Sequence, residues 1–183
     1  MLHEFEGIGP ESIVLDIGMY HGAWSREIAY RYCEPYIYGF EPVTAFYDKA
    51  VKSLVKYPKI RCFNFGLGAE ERRASIHIDS DATNLKNEGD EEVDIRCIAD
   101  VLSDLELNHV DLASINIEGG EYELLNYILS KGLILAFDSL LIQFHDTGPG
   151  SSDERKQIRT ILSMTHKAVF CYDTVWEYWK KGK

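Results

Sequence analysis

The chain has 183 residues, 45% hydrophobic and 12% aromatic, enough to bury the core of one folded domain and unlike a disordered polypeptide. Its formal net charge of -11 repels a phosphate backbone, so nucleic acid is not an expected partner. No apolar run approaches the ~20 residues of a membrane span, and the opening MLHEFEGIGP lacks the basic flank and apolar stretch of a signal peptide. A cytoplasmic protein with no membrane contact is expected. The cysteines Cys33, Cys62, Cys97 and Cys171 form no C-x-x-C pair and read as small buried hydrophobes of a reducing compartment.

Residues 12–17 read as a short apolar strand, 22–32 as a helix, and 36–40 as a second strand. A helix over 44–55 closes at Tyr57-Pro58, and 60–65 is a third strand. These strands are too apolar to have a wet face, which calls for a parallel sheet with helices on both sides. Residues 74–78 and 93–98 are strand candidates flanking DSDATNLKNEGDEE, a polar acidic surface loop over 79–92. Alternation resumes with a short helix at 99–105, a strand at 112–117, a helix at 121–130 ended by Lys131-Gly132, and a strand at 139–144. A helix over 153–165 is capped by Ser152 or Asp153. The tail supplies two strand-like pieces whose short connection makes them antiparallel, and Trp176 and Trp179 fall on opposite faces. One α/β domain spanning 1–183 accounts for the whole pattern.

In such sheets ligands bind beyond the carboxyl ends of the strands. The first strand ends in Asp16-Ile17-Gly18 and the helix begins near Gly22; both glycines let the backbone turn sharply and approach a ligand. Glu41 ends the second strand, about twenty residues on, where an acid can take both hydroxyls of a ribose. The pattern D-I-G-x-x-x-G has one glycine fewer than a dinucleotide loop, and Met19, Tyr20 and His21 crowd it. A pyrophosphate therefore fits less well than the amino-acid end of S-adenosylmethionine. A loop histidine, His21, is placed where it could face a second substrate.

Four segments, VLDIGMYHGAWS, YGFEPVTAFYDKA, IRCFNFGLGAEERRASIHI and VDLASINIEGGEYELLNYIL, resemble the FkbM family of S-adenosylmethionine-dependent methyltransferases. The last is similar to the family's K-I-D-x-E-G-x-E-x-x-x-L segment, and the tail VWEYW is also similar to such proteins. The resemblance implies a Rossmann-like class I methyltransferase fold, a seven-stranded, mostly parallel sheet with an antiparallel last strand. It implies O-methylation of a hydroxyl on a sugar or natural-product scaffold. Under it, Asp16, Gly18 and Gly22 lie along the methionine part, Glu41 holds the ribose, and the turn from Asn64 through Gly66 to Gly68 comes near the adenine. Glu118 and Glu121 match the two signature carboxylates. Asn116 departs from the family's usual Asp, and an amide cannot act as a base. Members often carry extra N-terminal residues that enclose the acceptor; here about a dozen precede the first strand. The acceptor side is then open, missing, or completed by a second subunit of a homo-oligomer.

Methyl transfer from a sulfonium needs alignment and a proton acceptor, and no redox cofactor. Glu118 ends an apolar strand and should point into the cleft. Glu121 reads equally as a site carboxylate or as a helix-capping residue. His145, at the end of the fifth strand, is a candidate general base. Glu118, His145 and Asp146 are also a candidate divalent-ion set, though a metal is not the favoured expectation. Two alternatives stay open: a catalytically silent cofactor- or nucleotide-binding domain, and an NAD-dependent oxidoreductase.

Overall fold

The computed structural model describes residues 3–78, 89–172 and 176–182. Its elements are β1 (Ile13–Ile17), α1 (Ala23–Arg31), β2 (Tyr36–Phe40), α2 (Thr44–Leu54), β3 (Ile60–Phe63), β4 (Gly66–Gly68), β5 (Arg72–Ile78), β6 (Gly89–Cys97) and α3 (Ile98–Asp104). The second half continues with β7 (Leu112–Ile115), α4 (Glu121–Ser130), β8 (Ser139–Gln143), α5 (Ser151–Leu162), β9 (His166–Cys171) and β10 (Trp176–Lys181). The main sheet has seven strands in the order β3-β2-β1-β7-β8-β10-β9, parallel except for β10, which runs antiparallel to both neighbours. This is the expected Rossmann-like methyltransferase sheet.

Alternation along each strand feeds two cores. Leu15, Ala113, Leu140 and Trp179 face the side covered by α3, α4 and α5, packing on Val101, Leu125 and Ile158. Val14, Leu112, Leu141 and Tyr178 face the α1 side, against Ile28, Ala29 and Phe5. Trp176 packs with the second group and Trp179 with the first, so the two indoles do lie on opposite faces. Burial of both faces explains why the central strands β1, β7 and β8 show no polar stripe. Between these rings Glu177 is fully buried, its charge met by Arg155 Nε at 2.7 Å and the Trp179 indole at 2.8 Å.

Several boundaries differ from expectation. β3 stops at Phe63 because the Asn64 side-chain amide donates to the carbonyls of Glu41 (3.0 Å) and Pro42 (3.1 Å), bending the chain away. It then enters a second, three-stranded sheet ordered β4-β6-β5. There β5 and β6 pair from Arg72↔Ile95 out to Ile78↔Gly89, so residues 89–92 of the expected acidic loop are strand, and 79–88 lie outside the described residues. Helix α5 starts two residues earlier than expected. Its N-cap is Gly150 in a left-handed conformation (φ 103°), which needs no side-chain cap, while Ser151 Oγ turns to Asp146 at 3.0 Å. Among the described residues no helix is long and apolar enough to cross a membrane.

Candidate active site

Strand order reverses between β1 and β7: β2 and β3 lie on one side and β8 on the other. The crevice at the carboxyl ends of β1 and β7 is thus the switch point where an open α/β sheet binds ligands. The two loops leaving it touch. A Cβ on Gly18 (φ 86°) would fall 1.9 Å from the Asn116 carbonyl oxygen, so only glycine fits there. The amides of Gly18 and Met19 both donate to the Phe40 carbonyl at 3.0 Å, tying the loop to the end of β2.

Two buried carboxylates flank this loop. Asp16 accepts the Ser25 hydroxyl at 2.5 Å, from the first turn of α1. Glu41, only 6% exposed, accepts the amide of Tyr20 at 2.8 Å on one oxygen and that of Val43 at 3.0 Å on the other. Each Glu41 oxygen has a second lone-pair position beyond that bond, which two neighbouring hydroxyls can fill. Burial pushes Asp16 up to about 6, against the Ser25 hydrogen bonds, and pushes Glu41 up to about 7, with the Val43 and Tyr20 amides opposing and Asp16 adding to the rise. Both groups bind protons in the folded chain that the unfolded chain releases near pH 4. Their contribution is therefore most favourable at low pH and is lost as pH rises through about 6 and about 7, at a cost on the order of 3 kcal/mol each. Urea unfolding should show stability falling between pH 5 and 7.5, with a shallower slope in Glu41→Ala. Identical slopes would count against the buried, proton-binding Glu41.

On the other loop, Glu118 adopts a left-handed backbone (φ 51°) followed by Gly119 (φ 103°), conformations rare for a glutamate. Its side chain is 85% exposed and reaches within 3.4 Å of His145 Nε2. Glu121 is fully buried. Its oxygens accept the Gly119 amide (2.8 Å) and the His145 amide (2.7 Å), and lie 3.2 Å from His145 Nδ1. The structure thus gathers Glu118, Glu121 and His145 at the ends of β7 and β8. Asp146 is not brought into that group. Its carboxylate accepts the Gly148 amide and the Ser151 hydroxyl at 3.0 Å, because the loop after β8 needs those bonds to turn into α5. The Glu118–His145–Asp146 ion set is accordingly not assembled. Among the described residues the potential ligand group that does converge is His109, Asp111 and Asp138, at the starting ends of β7 and β8, the opposite edge of the sheet.

Gly66 and Asn64 sit under the Glu41–Pro42 turn. A Cβ on Gly66 would meet Ile95 Cδ1 at 2.6 Å, and Asn64 spends its amide on the Glu41 and Pro42 carbonyls and the Thr44 hydroxyl. Sequence reasoning overlooked Ser25 and Tyr20. Ser25 was visible only as a polar residue in a helical first turn; Tyr20 acts through its backbone, which leaves no side-chain signal.

Comparison with known proteins bears on this arrangement. The model of the methyltransferase FkbM domain matches residues 16–170. The chain belongs to the FkbM methyltransferase family. No curated protein matches the sequence. The structure is similar to methyltransferase FkbM from Methylobacillus flagellatus KT, with TM-score 0.66 and 15% identity, covering 94% of this chain and 44% of that one. It is also similar to an rRNA methylase from Streptococcus thermophilus (TM-score 0.59, 14% identity, 97% and 91% covered). A third similar structure is TrmK from M. capricolum in complex with S-adenosylhomocysteine (TM-score 0.51, 12% identity, 97% and 66% covered). At these identities the likeness is one of fold. The chain spans less than half the length of the FkbM methyltransferase structure it matches.

Two polar atoms at the switch point of this FkbM methyltransferase domain stand out. Among the described residues His21 Nε2 and Asn116 Oδ1, one on each loop, are buried atoms without a hydrogen-bond partner, and such atoms call for a ligand or water. Burial lowers His21 below the ordinary histidine value, with Lys49 adding to the shift.

Proposed function

We propose that this domain transfers a methyl group from S-adenosylmethionine to a hydroxyl of a small, polar acceptor such as a saccharide. The observation that carries the reading is Glu41, a buried carboxylate presented by backbone amides at the end of β2, within a chain of the FkbM methyltransferase family. On this reading Glu41 accepts both ribose hydroxyls. Asp16, Gly18 and Gly22 line the methionine part, and Asn116 Oδ1 accepts an N–H or O–H from a ligand. The Asn64–Gly66 turn supports the adenine end through backbone and shape. The cofactor supplies an activated methyl on a cationic sulfur, and the protein aligns an acceptor oxygen with it. With that donor bound, its sulfur would leave as a neutral thioether, and the protein's own part would be to take the acceptor's hydroxyl proton on His145 Nε2. Glu118, 3.4 Å away, then faces the imidazolium.

On this reading the acceptor extends from Gly119 and Thr147 over an open surface of about 730 Å³ lined also by Tyr122, Asn126, Tyr127 and Glu154. The Asn126 amide donates to Glu154 at 2.7 Å and the Tyr122 hydroxyl to the His145 carbonyl, so what these groups offer a hydroxyl-bearing ligand is their remaining acceptor positions. The neighbouring Arg72 is engaged by Glu123 through two 2.7 Å bonds, and the chain's charge of -11 disfavours a polyphosphate such as RNA.

Calorimetry with S-adenosylmethionine, S-adenosylhomocysteine and NAD tests the donor, followed by a methyl-transfer screen over sugars and phenols. Binding of both sulfur compounds but not NAD, with transfer to a hydroxyl, is expected. NAD binding alone would replace the reading with an oxidoreductase. S-adenosylhomocysteine binding without transfer would leave a silent cofactor-binding domain.

A further inference from the structure

We propose that Glu121 is the positioning residue of the site: it fixes the ring of His145 with the proton on Nδ1, leaving the Nε2 lone pair aimed at the cleft. The inference rests on the reading of His145 as the proton acceptor.

Glu121 has no solvent exposure, and among the described residues no lysine or arginine is paired with it. A buried carboxylate persists only when N–H donors satisfy it. Here the donors are specific. Oε2 takes the amide of Gly119, and Oε1 takes the backbone amide of His145 and faces Nδ1 of the same residue. An ionised carboxylate offers no proton, so the ring nitrogen facing it must be the donor. Because the His145 backbone amide anchors the same oxygen, the carboxylate cannot swing away from the ring without losing two bonds.

The next residue completes the clamp. Tyr122 donates its hydroxyl to the His145 carbonyl at 2.8 Å. The first two residues of α4 therefore hold His145 by N–H, C=O and ring. A carboxylate serving only the helix start would need none of the His145 contacts; the Gly119 amide alone would suffice. Nε2 is left toward Glu118, whose exposed carboxylate receives no proton from a neutral Nε2 and becomes a partner only after that nitrogen is protonated. Among the described residues packed at this strand end, Tyr122 is bonded to the His145 carbonyl and, from α5, the Arg155 guanidinium lies over the Phe144 ring at 5.4 Å. Asp146, next in sequence, is turned into its own loop.

The proton position is read directly from long-range ¹H–¹⁵N spectra of the ¹⁵N-labelled, ligand-free protein at pH 8.5. The expected wild-type spectrum shows His145 mainly as the Nδ1–H form. Glu121→Ala should shift it to the Nε2–H form that free imidazole prefers, keep S-adenosylhomocysteine affinity within about twofold, and lower kcat by about 10²-fold. A wild-type ring that is mainly Nε2–H, or that carries both protons at that pH, overturns the proposal, as does a variant that retains Nδ1–H. The wild-type spectrum decides the matter even if the variant fails to fold. The measurement needs no cofactor, so failure of the calorimetry would remove the methyl-donor reading without touching the tautomer assignment, and the reverse holds too.

Discussion

Glu41→Ala should weaken S-adenosylhomocysteine binding by about 10²–10⁴-fold at pH 8. Two ribose hydroxyls donating to one ionised carboxylate are charge-assisted bonds worth about 1.5–3 kcal/mol each, and their sum converts to that range. The same substitution strips the Tyr20 and Val43 amides of their acceptor, so the β1–α1 loop relaxes as well. That effect adds to the loss rather than offsetting it. The pH gives an internal control. With Glu41 pushed up to about 7, the protein must shed a proton before the hydroxyls can bind it well. Wild-type affinity should therefore improve by up to about tenfold per pH unit between about 5.5 and 7 and level off above, a trend that Glu41→Ala lacks. A loss smaller than about fivefold would mean that the ribose lies elsewhere.

The grouping of Asp16, Gly18, Gly22 and Glu41 at one end of the sheet was legible because it is local. Asp16, Gly18 and Gly22 sit on one strand–turn–helix, and Glu41 ends the very next strand, so a spacing in sequence translates into a place in space. The sheet was legible for a related reason: strands such as Val14–Leu15 and Leu140–Leu141 are apolar on both faces, which requires helices on both sides. The acceptor half depends on residues far apart in the chain. Glu121 reads equally as a site carboxylate or a helix-capping acid until β8 places His145 over it, and nothing near either residue announces that meeting. Asp146 shows the converse. Adjacent to His145 in sequence, it is drawn off by Gly148 and Ser151, because a tight glycine-rich turn makes local demands on the nearest carboxylate. Asn64 was legible as part of the right turn, but its amide braces the Glu41–Pro42 backbone.

His145→Ala should lower kcat by about 10²–10⁴-fold while S-adenosylhomocysteine affinity stays within about twofold, the split expected when a residue acts only on the acceptor's proton. On the proposed reading the donor contacts are carried by β1, β2 and their loops, whereas the described bonds of His145 go to the β7–α4 loop and α4. Its removal leaves Glu121 with the Gly119 amide and the amide of residue 145, which remain backbone groups in the variant, so the buried carboxylate is still met. Glu118→Gln gives the graded comparison: the proton acceptor is intact, and only the partner of the resulting imidazolium is lost. Its kcat should fall by less than that of His145→Ala, at most about tenfold given the 85% exposure of that side chain. Initial rates of S-adenosylhomocysteine release, measured with whichever hydroxyl acceptor the screen identifies, check both values. An unaffected His145→Ala rate would exclude the histidine as the base. A collapse confined to Glu118→Gln would transfer that role to the strained carboxylate, whose left-handed backbone would then be the feature that aims it.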